Sequence, residues 1–117
     1  MITKTDPILE ALEGFRQRAM ASWPVRRLIA KWDRTIEVRV PERSYFLRSR
    51  AGEILAPATS SDGKPEIVLS AAGDVMRGVF DGTLNPARAH LDGRLVAEGS
   101  TADQLVLDAI VLLIWGL

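Results

Sequence analysis

Apolar residues recur along this chain first at the period of a helix, then at that of a strand, then at that of a helix again. Ile8, Leu9, Leu12, Phe15 and Ala19 fall at helical spacing behind Asp6–Pro7. That dipeptide supplies an N-cap acceptor and a residue whose φ is preset for the first turn. Pro24 is expected to end or kink this helix after Ser22–Trp23. A shorter amphipathic piece follows, with Val25, Leu28, Ile29 and Trp32 on one side and Arg26, Arg27, Lys31 and Arg34 on the other.

From Thr35 the period becomes two. In TIEVRV, Ile36, Val38 and Val40 point one way and Glu37 and Arg39 the other. After a turn at Pro41–Glu42–Arg43, SYFLRS reads as a second strand, and GEILA continues it or begins a third after Ala51–Gly52. PATSSDGKP is a loop. EIVLS is the next strand, apolar enough to suggest cover on both faces. Helices then return. Ser70 is placed to cap a segment bearing Val75, Met76, Val79 and Phe80, stopped by Asp81–Gly82. Asn85–Pro86 opens the brief helix PARAHL, stopped by Asp92–Gly93, and RLVAEG is the last strand. Ser100 with Asp103 has the spacing of a capping box, with Asp in place of Glu or Gln, and launches a final helix. Clustered strands between helices predict an α+β layer with one largely antiparallel sheet.

Length and composition add a few exclusions. At 117 residues the chain is expected to be a single domain over 1–117, with N-terminal helices over 1–33 and the sheet-bearing core over 35–116. It has no cysteine and one histidine, His90, which leaves no thiolate metal site and makes a catalytic triad improbable. Nucleotide-binding glycine loops are absent, and the acids mostly sit at caps and turns. The expectation is a protein without catalytic residues, metal or cofactor, with His90 as a packed or surface side chain. RSYFLRSR sets aromatics among arginines, but two aromatics on a core strand explain it, and no nucleic-acid partner is expected.

The charge is uneven. Residues 1–50 hold 11 Lys and Arg against 6 acids, and residues 51–117 hold 4 against 9. Either the halves attract one another in the fold, or a basic surface seeks an anionic membrane or nucleic acid. The face at Arg26, Arg27, Lys31 and Arg34 is either solvated or docks on such a membrane. The C-terminal LVLDAIVLLIWGL is interrupted by Asp108 and falls short of the roughly 20 apolar residues a spanning helix needs. With no secretory signal visible, a soluble, cytoplasmic protein is expected.

That last helix carries an apolar surplus. Leu105, Val106, Ala109, Ile110, Leu113 and Ile114 form one stripe, while Leu107, Val111, Leu112 and Trp115 cover much of the remaining circumference. A helix apolar all round needs cover on all sides, from other helices of the chain, a bound apolar ligand, a second subunit or a membrane.

The stretch PEIVLSAAGDVMRGVFDGTLNPARAHLDGRLVAEGS, residues 65–100, resembles the sterol-carrier-protein-2 (sterol-transfer) domain family. That family shows a strand ending in Ser, a helix, a Gly-plus-apolar turn, a short helix with Pro and Ala, then a G-[KR]-[LI]-x-[AV]-x-G strand. Here these are Ile67–Ser70, Asp74–Phe80, Gly82–Leu84, Pro86–Leu91 and Gly93–Gly99. The likeness extends upstream to cover about residues 35–116. The segment from KWDRTIEV to GRLVAEGSTADQL is also similar to the lipid-carrier accessory proteins of ubiquinone biosynthesis, with Ser100 where Asp is common. The peroxisomal S-K-L tripeptide is absent, since the chain ends Trp115–Gly116–Leu117.

The resemblance implies a mainly antiparallel five-stranded sheet with helices enclosing an apolar tunnel. It also implies a non-catalytic carrier of sterols, fatty acids, fatty acyl-CoA or phospholipids. On that expectation Val75, Met76, Val79 and Phe80 supply one wall, and Leu84, Leu91 and Leu95 part of another. Leu105, Ile110, Leu113 and Ile114 supply the wall from the last helix. The ligand expected is an acyl, sterol-like or polyprenyl quinone lipid. The alternative is a dimerisation or scaffold module that buries the last helix in a homodimer without lipid.

Overall fold

The structure, a computed structural model, describes residues 6–61 and 63–116. Asp62 of the expected loop and the terminal Leu117 lie outside the described residues. Asp6 accepts from the backbone N–H of Ile8 (3.0 Å) and Leu9 (3.2 Å) and starts α1 (Pro7–Ala21). The buried side of α1 is Ile8, Ala11, Leu12, Phe15 and Ala19. The break expected near Pro24 falls at Ser22, whose extended backbone ends α1 and whose hydroxyl then caps α2 (Trp23–Leu28) at the N–H of Val25. Val25, Ile29 and Trp32 enter the core; Leu28, expected beside them, is exposed at the end of α2.

The strands are β1 (Arg34–Val40), β2 (Arg43–Arg50), β3 (Glu53–Ile54), β4 (Ile67–Ala71) and β5 (Leu95–Glu98), in spatial order β3-β2-β1-β4-β5. GEILA thus begins a third strand, of two residues. Neighbours are antiparallel except β1 and β4, which run parallel, so the sheet is mixed with a mainly antiparallel character. Register puts Ile36 beside Leu47 and Ile67, and Val38 beside Tyr45 and Leu69, all on one face and all buried. The alternate face carries the Glu37–Arg39 ion pair (3.0 Å) and half-buried Val68. The expectation that β4 is covered on both faces therefore fails: only Ile67 and Leu69 are buried, and Val68 lies among Glu37 and Glu98. Valine suits a half-buried pleated surface, which is why the run read as doubly covered.

The helices after β4 are α3 (Gly73–Asp81), α4 (Pro86–Leu91) and α5 (Thr101–Trp115). Ser70 does not cap α3. It stays in β4, paired with Val96 of β5, and Ala72 occupies the cap position without a side-chain hydrogen bond. Gly82 ends α3 in the left-handed region (φ 83°), and Asn85 caps α4 at the N–H groups of Ala87 and Arg88.

α5 is held at both ends. Ser100 accepts from the N–H of Asp103 (3.1 Å), half of the expected capping box. The Asp103 carboxylate instead accepts from the Trp32 indole (2.9 Å) and from Arg34 Nε (3.0 and 3.1 Å). At 7% exposure it is the one buried charged residue among those described. At the other end, the Trp115 ring lies so close to Gly82 that a Cβ there would stand 2.5 Å from it, and the Arg18 guanidinium covers the ring at 4.2 Å. Gly82 is therefore required twice, for its left-handed backbone and as a flat seat.

Burial, the largest single influence on Asp103, pushes its carboxyl up, but the hydrogen bonds and charge of Trp32, Arg34 and Ser100 outweigh it and leave it below 3.8. Asp6 behaves alike: burial raises it, and Tyr45, the α1 N–H groups and Arg43 bring it down. A depressed folded value stabilises the fold fully above the ordinary carboxylate range and loses that contribution as pH falls through the lower value. Urea midpoints should hold between pH 5 and 8 and fall below about pH 4. Asp103→Asn should flatten part of that acid limb, and Asp103→Ala, which leaves Trp32 and Arg34 unpaired, should cost about 3 kcal/mol at pH 7.

Candidate functional site

The sheet and helices do not close on one another. A cavity of about 400 Å³ lies between them, within the range of roughly 300–1,000 Å³ seen for small-molecule sites. Its floor is the inward sheet face: Ile36 and Leu47, which are register partners, then Leu69 opposite Ala97, and Leu95. Phe15 of α1 and Phe80 of α3 meet edge to face, 5.1 Å between centroids, and with Val79 form one wall. Pro86, Ala87, His90 and Leu91 of α4 form another.

The last wall is a stripe of α5. Gln104, Leu107, Asp108 and Val111 stand at i, i+3, i+4 and i+7 and so share one face. Asp103 and Ile110, seven residues apart, form the buried side. Leu105, Leu112 and Leu113, at 61%, 58% and 47% exposure, look out to solvent. Three stripes of one helix thus hold the fold, line the cavity and face water. Leu91 lines the cavity at 80% exposure, and His90 and Asp108 are exposed too, so the cavity opens between α4 and α5.

Of the residues expected to line a cavity, the structure brings Val79, Phe80, Leu91 and Leu95 to it. Val75, Met76 and Ile110 are buried in the core instead. Leu84 and Ile114 pack partly buried against that core. Leu105 and Leu113 are turned outward, because the Asp103 and Trp115 contacts set the rotation of α5 and its apolar pattern does not. Phe15, Leu47, Leu107 and Val111 line the cavity as well, outside the set expected there. The α5 set shares the i, i+3, i+4, i+7 spacing of one face, but a helix apolar nearly all round does not mark which face meets the cavity.

Polar groups on the lining are few. His90 Nδ1 is 3.2 Å from the Leu95 carbonyl, and Gln104 Nε2 donates to the Gly99 carbonyl at 2.9 Å. Among the described residues no group of acids and histidines is placed to hold a metal. Arg26, Arg27 and Lys31 are exposed, with the Arg27 guanidinium 5.0 Å over the ring of Trp23, itself 59% exposed. Arg34, expected to join that basic face, is engaged with Asp103.

The profile of the SCP-2 sterol transfer family matches residues 15–111. Among solved structures, the sterol carrier protein domain 2 of Helicoverpa armigera superposes with a TM-score of 0.75 at 14% identity, covering 99% of this chain and 97% of that one. The UbiJ-SCP2 ubiquinone synthesis protein gives 0.70 at 11% identity, covering 89% and 91%. Sterol carrier protein-2 of Aedes aegypti, solved with the C16 fatty acid palmitate, gives 0.69 at 14% identity, covering 95% and 99%. These likenesses are of fold. A comparison with curated protein sequences finds no match.

Empty space changes what substitutions cost. Ala97→Phe and Val111→Phe have room to grow into, so thermal unfolding should show losses of no more than about 1 kcal/mol. Met76→Phe, in the close-packed core, should lose about 1–3 kcal/mol.

Proposed function

The chain belongs to the SCP-2 sterol transfer family, and we propose that it is a non-catalytic lipid carrier of the cytoplasm that holds an apolar tail in the cavity beneath α5. The observation that carries this reading is the cavity itself, apolar over nearly all its lining and open at one end between α4 and α5. Each methylene taken from water contributes about 0.8 kcal/mol, so a long tail binds without dedicated hydrogen bonds. Palmitate bound to the Aedes aegypti protein supports an acyl or similarly elongated tail. The UbiJ-SCP2 likeness supports a polyprenyl quinone equally. Arg26, Arg27 and Lys31 beside exposed Trp23 suit contact with an anionic membrane during loading. Among the described residues no helix is long and apolar enough to cross one.

Delipidated protein should take up a lipid extract, read by native mass spectrometry, and Ala97→Phe or Val111→Phe should reduce that uptake at least about tenfold while remaining folded. Recovery of apo protein alone from the wild type would overturn the reading.

A second reading rests on a different observation, the outward ridge of Leu105, Leu112 and Leu113. An exposed apolar ridge on a helix favours burial against a second copy. Sedimentation velocity should then show concentration-dependent dimers that Leu105→Glu with Leu112→Glu abolishes; a monomer at all concentrations removes this reading.

A further inference from the structure

The cavity's mouth has a chemistry of its own. Among its described lining residues the polar side chains are His90, Gln104 and Asp108, and there is no lysine or arginine. Gln104 and Asp108 are one turn apart on α5, and His90 belongs to α4 across the opening. The Leu95 carbonyl can only accept, so the neutral ring of His90 carries its hydrogen on Nδ1, and Nε2 is left as an acceptor. Gln104 spends an N–H on Gly99, leaving its carbonyl as an acceptor beside one remaining N–H. Asp108 is exposed and makes no hydrogen bond or ion pair among the described residues. An aspartate carboxylate at neutral pH accepts only and carries a negative charge.

We propose that this mouth is a head-group subsite that favours a lipid ending in a hydroxyl over one ending in a carboxylate, with Asp108 as the discriminating residue. The inference rests on the carrier reading above and narrows its ligand class. A hydroxyl donates to Asp108 or to His90, and a hydrogen bond to an ionised carboxylate is the stronger kind. A fatty-acid carboxylate donates nothing, meets no lining cation, and brings a second negative charge to a site partly shielded from water. A bare quinone carbonyl likewise only accepts and finds one donor, the remaining Gln104 N–H, whereas its hydroquinone also donates to Asp108 or His90, so the rim favours the hydroquinone.

The test compares two probes with one tail, 1-decanol and decanoate, titrated calorimetrically at pH 8 and low salt into wild type, Asp108→Asn and Asp108→Lys. The readout is the ratio of the two affinities, which removes the difference in water solubility common to all three proteins. Asp108 is exposed and unpartnered, so both variants keep the fold. Wild type should prefer decanol, Asp108→Asn should lower the ratio about tenfold, and Asp108→Lys should lower it further. A ratio that does not change across the three proteins, or tighter binding of decanoate by the wild type, overturns the head-group assignment and leaves the carrier intact. Failure of both probes to bind the wild type overturns the carrier reading and the subsite with it.

Discussion

The rotation of α5 about its own axis decides what this protein contains, and a buried carboxylate sets it. Asp103 gathers the Trp32 indole and the Arg34 guanidinium from the chain's N-terminal third. Turning α5 by one residue, about 100°, would carry that charge into apolar surroundings and leave two donors unpaired. Nothing in the helix's apolar residues imposes such a restriction. A helix with leucine, valine and isoleucine on every side is nearly indifferent to which side faces in. The polar anchor therefore supplies specificity where hydrophobicity supplies adhesion. Trp115, clasped between Gly82 and Arg18, repeats the restraint at the far end.

The cavity follows from that restraint. Protein interiors close to crystal-like density unless something props them open, and here Leu12, Met76 and Ile110 are packed to full burial a short distance from about 400 Å³ of unfilled volume. With α5 pinned at both ends, it cannot sink toward Ile36, Leu69 and Ala97 to fill the space. α4 is too short to help. Pro86, Ala87 and the exposed His90 and Leu91 face the gap, and none fills it. Side chains around a void lose dispersion partners, so the site carries a standing cost in stability that an apolar occupant relieves.

Local order was legible because it depends on neighbours in sequence. Asp6–Pro7, Asn85–Pro86, Gly82, Gly93 and Ser100 punctuate the chain where the structure places its caps and turns. The alternation of TIEVRV gave the buried face of β1 directly. The failures share one cause, a residue whose partner is far away along the chain. Asp103 read as a cap because Ser100 is three residues off, while Trp32 is 71 residues distant. Ser70 read as a cap because a helix follows, while its strand partner Val96 comes only after two more helices. The lining of the cavity was the least legible part: four of the eleven residues expected there reach it, because Trp32 and Gly82, far away along the chain, set the rotation of α5.

Division of α5 into three stripes also explains how one architecture persists at 11–14% identity to its structural neighbours. Asp103, Ile110 and Trp115 answer to the fold, and Gly82 and Gly99 to close approach. A Cβ at Gly99 would stand 2.8 Å from the Glu66 carbonyl, at a φ of 140°. Gln104, Leu107, Asp108 and Val111 line the cavity, and of these only Gln104 bonds to an anchor, through the Gly99 carbonyl. Leu107, Asp108 and Val111 make no side-chain hydrogen bond among the described residues, so their exchange alters the shape and polarity of the space more than the position of the helix that bounds it. Fold and ligand preference are thus written on different faces of the same fifteen residues.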